Sequence, residues 1–265
     1  MAKLAWDQVG QRFFQTGVDR GVLYLTDSAV AWNGLTSVDV DSDNDLQSYY
    51  LDGAKYLQTV SPSDFAGKMK ALTYPEEFDS VNGIENEDSG LSYYNQKPES
   101  FNLSYRTRIG NDLDGVDHGY KIHILYNVMA SPDSYSYQTL QETLTPIEFG
   151  WTLSATPPFI DGHRPTSHIS IDSTKVNPLV LESIETSLYG SAISNPYLPT
   201  IEEIITLLEQ FGSLIIVDNG DGTWTAIDAA DQYITMTNST TFEIDNVDAT
   251  YSDVSTYTVS TTNPD

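Results

Sequence analysis

The stretch FNLSYRTR, Phe101–Arg108, alternates apolar and polar side chains almost strictly, with Phe101, Leu103 and Tyr105 on one face. A period of two residues is typical of a β-strand with one buried face. A second stretch, YKIHILYNV at Tyr120–Val128, alternates in the same way. These two stretches predict strands and favour a fold built mainly from β-structure.

Five further segments predict strands, and residues that favour turns separate them. They are Val18–Thr26, Lys55–Val60, Phe65–Thr73, Ile147–Ala155 and His168–Asp172. Helix signals are few. Pro178–Tyr189 has apolar residues at helical spacing, Pro199–Phe211 adds an N-cap at Thr200, and Glu76–Asp79 predicts a short turn.

A domain boundary is predicted at NPYLP, Asn195–Pro199. Beyond it a helix is followed by two apolar runs that flank an Asn-Gly-Asp-Gly turn, which is typical of a hairpin. The predicted strands there are Ser213–Asp218, Thr223–Ile227, Tyr233–Thr237, Thr241–Ile244 and Thr256–Ser260. We therefore expect a β-rich main domain over residues 1–197 and a small α+β domain over residues 198–265.

Acidic residues dominate the charge, with 38 Asp and Glu against 12 Lys and Arg and a net charge of −26. The 90 residues after Lys175 hold no base and 14 acids, so they carry −14 and the preceding part carries −12. Such a surface repels nucleic acid and anionic lipid. The composition argues against specific binding of DNA or of a membrane surface.

Cysteine is absent, which excludes disulfides, thiolate metal sites and cysteine nucleophiles. The N-terminal sequence MAKLAWDQVG lacks the apolar run of a signal peptide, and no segment has the apolar length of a membrane helix. We therefore expect synthesis in a cytoplasm without secretion by the usual route.

The segment DVDSDNDLQSYYLD, Asp39–Asp52, comes closest to a metal motif. Four carboxylates occupy positions 1, 3, 5 and 12 of an EF-hand-like loop. They are Asp41, Asp43, Asp45 and Asp52. Leu46 replaces the glycine of the sharp turn, and no helix signal flanks the loop, so a solvated acidic loop is favoured over a calcium site.

The other candidates are weaker. The segment Asn111–His118 predicts a turn, with a second acidic metal loop as the alternative. The histidines His163 and His168 lack the further ligands of a zinc site. Motifs for a serine hydrolase, a zinc protease or a phosphate-binding loop are missing, so we expect neither an enzyme nor a cofactor. A hydrolase that uses two carboxylates stays a minor alternative.

Ordered sequence blocks over about residues 5–190 resemble a known family. One block is WDQVGQRFFQTGVDRGVLYL at Trp6–Leu25 with VAWNGLTSV at Val30–Val38. The other is LTYPEEFDSVNG at Leu72–Gly83 with SYRTRIGNDLDGVDHGYKIHILYNVMASP at Ser104–Pro132. Together they resemble the major tail (tail tube) proteins of long-tailed, non-contractile bacteriophages, particularly those that infect actinobacteria.

The resemblance implies a tail-tube β-sandwich or barrel with a flanking helix. It implies six subunits in a ring, and rings stacked into a tube whose acidic bore conducts double-stranded genomic DNA without binding it specifically. The implied partners are the tape measure, tail terminator and distal tail proteins. The implied location is the tail of the virion, assembled in the host bacterial cytoplasm.

By the same resemblance, Val38–Tyr56 is the loop that stacks one ring on the next, with an ordinary exposed loop as the alternative. Its candidate residues are Asp39, Asp41, Asp43, Asp45, Tyr49 and Tyr50. The aromatic residues Trp6, Phe13 and Phe14 form either an arm that contacts neighbouring subunits or a cap on the subunit's own core. The C-terminal acids are expected to face solvent outside the tube.

A binding module for carbohydrate or a cell surface is the alternative function. Aromatic side chains could form a platform for sugar rings, although packing in the core or at interfaces is the commoner use of tyrosine. The candidate platform residues are Tyr49, Tyr50, Tyr93 and Tyr94.

Overall fold

The fold is mainly β, as the sequence predicts, and the described residues contain two α-helices. A computed structural model describes residues 6–26, 28–41, 46–60, 65–87, 89–139 and 146–211, and the strand segments 215–218, 224–227, 233–238 and 241–244. The chain divides into two compact units. The first comprises Met1–Thr174 with Leu188–Leu198, and the second Lys175–Ser187 with Pro199–Asp265.

Twelve strands are described in the first unit. They are β1 (Phe14–Tyr24), β2 (Ala29–Trp32), β3 (Leu35–Asp41), β4 (Leu46–Leu51), β5 (Ala54–Val60), β6 (Ala66–Ala71), β7 (Glu85–Asn86), β8 (Ser92–Tyr93), β9 (Phe101–Asn111), β10 (Gly115–Pro132), β11 (Phe149–Ala155) and β12 (His168–Asp172). A single 3₁₀ turn spans Glu76–Asp79 among these residues, as predicted.

The main sheet has eight strands in the order β2-β1-β9-β10-β11-β6-β3, with β12 paired to β10. Its end strands β2 and β3 are consecutive in the chain and only Asn33 and Gly34 connect them. Since consecutive Cα atoms are about 3.8 Å apart, this short link holds the two ends of the sheet close together. The sheet therefore curls towards a barrel. Gly34 has a φ of 85°, which favours glycine.

Strand β10 is long and changes partners along its length. Its residues Lys121–Leu125 lie between β9 and β12, whereas Val128–Pro132 pair with β11. The register shifts between the two parts, and Asn127 has a φ of 51°. Its N–H donates to Oδ1 of Asn102 over 2.8 Å, which fixes the bend. Such bulges curve a strand and increase its twist.

Aromatic rings fill the core enclosed by the sheet. Phe78, fully buried, lies 4.6 Å from Trp32 and 5.2 Å from both Phe101 and Trp151, measured between ring centroids, with the rings edge to face. Edge-to-face packing places the positive ring edge against a negative ring face. The indole N–H of Trp151 donates to Oδ1 of Asn82 over 2.7 Å, so its polar atom is satisfied inside the core.

The second unit contains most of helix α1 (Pro178–Tyr189), helix α2 (Ile201–Phe211) and a four-stranded antiparallel sheet. Its strands, in sheet order, are β13 (Ile215–Asp218), β14 (Trp224–Ile227), β15 (Tyr233–Asn238) and β16 (Thr241–Ile244). Thr200 and Glu203 form a capping box, because each side chain accepts the backbone N–H of the other. Helix α2 therefore begins where its sequence predicts.

The structure differs from the sequence prediction in several elements, and β7 and β8 are among the strands that were not predicted. Strand β1 begins at Phe14 rather than Val18, and the short strands β2 and β3 were not predicted. The predicted loop Val38–Tyr56 is wrong as a loop, because it holds most of β3, all of β4 and the start of β5. A two-residue turn at Asp52 and Gly53, both with positive φ, connects β4 to β5 and is typical of hairpins. The predicted strand Thr256–Ser260 lies outside the described residues.

We predict that Phe78→Ala will lower the free energy of unfolding by about 3–5 kcal/mol, because it leaves a cavity among rings that cannot collapse onto it. Urea denaturation followed by tryptophan fluorescence measures the change. Phe159→Ala is the matched control, since that ring is exposed and its loss should cost less than about 0.5 kcal/mol. Equal effects at both sites would contradict this account of the core.

Candidate assembly surfaces

The β4–β5 hairpin projects its side chains into solvent on both faces. Every residue from 49 to 59 is exposed, including Tyr50 at 65% and Tyr56 at 73%. Tyr49 and Leu57 lie opposite each other in the ladder, and both are also exposed. An isolated two-stranded hairpin is marginally stable in water, and exposed apolar side chains in one patch mark an interface. The hairpin thus has the properties of a contact element.

The candidate residues of the predicted stacking loop fall in different places. Tyr49 and Tyr50 lie on the hairpin, whereas Asp39 and Asp41 lie on β3, opposite Lys68 and Ala66 of β6. The remaining two, Asp43 and Asp45, lie outside the described residues. Only the tyrosines therefore belong to the described part of the projecting element.

The two described carboxylates of the calcium candidate, Asp41 and Asp52, do not lie together in an EF-hand-like loop. Strand β4 separates Asp52 from Asp41 and the segment that follows it. At about 3.3 Å per residue, the six residues of this strand span roughly 17 Å. A carboxylate at the hairpin turn cannot complete a coordination sphere about a metal at the other end of that strand, where ligands lie within about 2.6 Å of calcium.

The N-terminal aromatic residues do not cap the core. Trp6 is 75% exposed, Phe13 58%, and Phe14 also reaches solvent. The preceding segment is held on the β9–β10 turn, where Oδ1 of Asp112 accepts the backbone N–H groups of Gly10 over 2.9 Å and Arg12 over 3.4 Å. The segment thus presents rings to solvent from a fixed position, and contact with a neighbouring subunit stays a prediction.

The connection between β9 and β10 is a turn closed by its own side chains. Oδ1 of Asn111 accepts the N–H groups of Leu113 and Asp114, and Gly115 has a φ of 63°. Oδ2 of Asp114 lies 2.8 Å from Nδ1 of His118. The turn chemistry of Asn, Asp and Gly explains this segment without a metal ion.

Two of the few basic residues are held by an acid of the same subunit. Arg106 on β9 forms two hydrogen bonds to the carboxylate of Asp19 on β1, over 2.7 and 3.2 Å, and lies 4.4 Å from the ring of Tyr120. Arg108 reaches the same carboxylate over 3.1 Å. The hydrogen bond from Arg106 lowers the pKa of Asp19. These arginines therefore stabilise the sheet and contribute little free positive charge.

Two histidines meet inside the first unit because β10 pairs with β12. Nδ1 of His123 lies 3.0 Å from Nε2 of His168, and the ring of His123 stacks on Tyr105 at 4.8 Å. Burial lowers the pKa of His123 to about 4 and also lowers the pKa of His168. No cluster of three or more His, Asp or Glu side chains that would hold a metal occurs among the described residues.

A surface that the sequence did not predict combines tyrosine rings with carboxylates. Tyr135 stacks edge to face on Tyr137 at 5.5 Å and packs on Phe149 at 5.3 Å, and Tyr74 packs on the same phenylalanine at 5.1 Å. Burial, with the negative charge of the neighbouring Asp79, raises the pKa of Tyr74 to about 12. This group brings together segments of the chain about 60 residues apart.

An open cleft of about 550 Å³ adjoins these tyrosines through Asp79. Five carboxylates and one lysine, Lys97, are among the residues that line it. The carboxylates are Glu76, Glu77, Asp79, Glu85 and Glu99. We call Tyr74, Tyr94, Tyr135, Tyr137 and these five carboxylates the tyrosine–carboxylate surface.

Tyr94 is one of the four tyrosines predicted to form a sugar platform, but Tyr49 and Tyr50 of that group lie on a different element. Electrostatic interaction links Tyr94 to Tyr74 and Tyr135, whereas Tyr49 and Tyr50 lie on the hairpin. The four-tyrosine sugar platform is therefore not one contiguous element. Neither of the two helices in the described residues has the length and apolar character to cross a membrane.

No protein-family model and no curated protein matches the chain. Among solved structures, the chain is similar to the sheath–tube complex of an extracellular contractile injection system, PVC, in its extended state. That match has 16% identity over 58% of this chain and 88% of the other, with a TM-score of 0.34. The PVC sheath/tube terminator gives 14% identity over 64% and 99%, with a TM-score of 0.32.

The tube-terminating cap of the anti-feeding prophage is a third similar structure. Its match has 11% identity over 65% of this chain and 97% of the other, with a TM-score of 0.34. Identities and TM-scores are low throughout, so the function proposed below stands on the residues of the chain itself.

We predict that acid will weaken the fold through His123. Its pKa in the folded protein lies below the ordinary value of 6.5, so the unfolded chain takes up the proton first as the pH falls. The free energy of unfolding should therefore decrease between pH 6.5 and about 4, with a His123 contribution of about 1 kcal/mol by pH 5 after allowance for solvent screening.

Urea denaturation at several pH values measures this dependence in the unchanged protein and in His123→Gln, which should lose that part of the slope. His163→Gln serves as the control, because that ring is exposed. An unaltered slope in His123→Gln would show that the histidine pair does not control acid stability.

Proposed function

We propose that the chain is a structural subunit of a phage tail tube. The sequence blocks that resemble tail tube proteins all lie in the first unit, between Trp6 and Pro132. The described residues of these blocks form β1, β2, much of β3, the 3₁₀ turn, β9 and β10, which together provide most of the sheet. The blocks therefore coincide with the structural framework of this unit rather than with peripheral loops.

The observation that carries the proposal is the hairpin β4–β5. A monomeric protein gains no stability from aromatic side chains exposed on both faces of a two-stranded element. A subunit that stacks on another copy buries such a hairpin at the contact. The exposed rings of Trp6 and Phe13 provide a second surface of the same kind.

The acidic charge fits the passage of DNA through the proposed bore. A net charge of −26 repels phosphate, so DNA slides without specific contacts to the wall. Two arginines of the main sheet, Arg106 and Arg108, are bound to Asp19. This arrangement reduces the number of phosphate contacts that would slow the DNA.

The finer features of the proposal follow from the sequence resemblance. They are a ring of six subunits, a non-contractile tail, and contact with tape measure, terminator and distal tail proteins. A surrounding sheath around tubes isolated from the virion would contradict the non-contractile part and leave the tube function standing.

We predict that the purified protein will assemble into rings or tubes with a central bore wide enough for double-stranded DNA. Negative-stain electron microscopy after concentration measures this outcome directly. The experiment should span low and high salt, because screening reduces repulsion between subunits of high net charge. A monomer at every concentration and salt level, together with absence from virions, would contradict the proposal.

We also predict that the C-terminal sheet lies outside the bore. A chain that ends after Leu198 should still form tubes of the same inner diameter, because removal of the segment takes no part of the main sheet. Class averages of both tubes measure the inner and outer diameters. A wider bore in the shortened protein would place residues 199–265 in the lumen and contradict this prediction.

A further inference from the structure

The tyrosine–carboxylate surface has the chemistry that binds a cationic side chain. Carboxylates form strong, charge-assisted hydrogen bonds with Lys and Arg, and the negative face of an aromatic ring attracts the same cations. Five carboxylates line the cleft against the single base Lys97, and Tyr94 and Tyr137 nearby are largely exposed. No cation from the described part of the chain forms an ion pair with these acids.

The hairpin β4–β5 carries a cation of the required kind. Lys55 is the single base of residues 46–60, and Asp52 the single acid, so this segment has no net charge in a chain of −26. Lys55 is exposed and donates to Gln58, and it has no ion pair among the described residues. An acidic surface therefore repels this element less than most other parts of the same protein.

Two exposed tyrosines neighbour this lysine, one across the ladder and one along the strand. Tyr50 lies opposite Lys55 in the ladder and Tyr56 follows it, and both rings are more than half exposed. The exposed rings of the hairpin and those of the tyrosine–carboxylate surface would both bury apolar area if the two surfaces came into contact. Tyrosine is favoured at interface centres because it combines a large apolar area with a hydroxyl group.

We infer that Lys55 and its flanking tyrosines on one copy bind the tyrosine–carboxylate surface of a second copy. The contact joins two different patches. The hairpin of each copy binds one neighbour, and its tyrosine–carboxylate surface binds the hairpin of another neighbour. Such heterologous contacts propagate into rings or filaments, whereas self-matching contacts stop at a dimer. This inference rests on the proposed function, since it names the surface that receives the exposed hairpin.

A charge exchange tests the pairing. Lys55→Glu and the double variant Glu77→Lys/Glu85→Lys should each raise the protein concentration needed for assembly by about tenfold or more. Their combination should restore assembly, because the charges are exchanged rather than lost. Asp161→Lys is the matched control, since this exposed acid lies outside the surface. Sedimentation and electron microscopy measure assembly.

A cross-link provides a second measurement, because the chain has no cysteine of its own. Tyr56→Cys mixed with Glu85→Cys should give a disulfide dimer that contains one copy of each variant under mild oxidation. Tyr56→Cys mixed with Asp161→Cys is the control and should give much less.

The outcomes separate the inference from the proposed function. Tubes that form normally in all charge variants, without the Tyr56–Glu85 cross-link, would overturn the inference and leave the tube function intact. Impaired assembly of Glu77→Lys/Glu85→Lys with normal assembly of Lys55→Glu would also overturn it, because the surface would then bind something other than the hairpin. Failure of the unchanged protein to assemble at any concentration or salt level, together with its absence from virions, would overturn the proposed function itself.

Discussion

Strand β10 is the element on which the first unit depends. It runs over eighteen residues and pairs with β9, β12 and β11, and the bend at Asn127 allows it to change partners. Its inward residues Leu125 and Val128 belong to the aromatic core, while His123 meets His168 of β12. The bend in β10 therefore contributes to the curvature of the sheet, together with the short link between β2 and β3.

The sequence predicts β9, β10 and β12 well because each alternates apolar and polar residues with the period of the strand. Helix α2 is predictable for a local reason, since Thr200 and Glu203 satisfy backbone donors at its start. Strand β5 was predicted as Lys55–Val60, whereas β4 was missed because residues 49–51 are all exposed, which removes the alternation. Asp52 and Gly53 were the available signal, since this pair is typical of a tight hairpin turn.

The tyrosine–carboxylate surface was beyond sequence reasoning for a different reason. Tyr74 and Tyr135 come together because both pack on Phe149, and no local pattern encodes that contact. The histidine pair has the same origin, since the pairing of β10 with β12 creates it. The assembly residues named from family resemblance were separated by the fold, with Asp39 and Asp41 on the main sheet and the tyrosines on the hairpin.

The pairing of β1 with β9 has a consequence for synthesis. Leu23 lies opposite Leu103. During synthesis, β1 therefore cannot pair with β9 until about eighty more residues have been made. Contacts this distant in sequence slow folding and lengthen the time during which apolar strands are exposed. A chain made in many copies would thus be most prone to aggregate as a nascent polypeptide, before β9 leaves the ribosome. Its high negative charge would keep such unfinished chains apart.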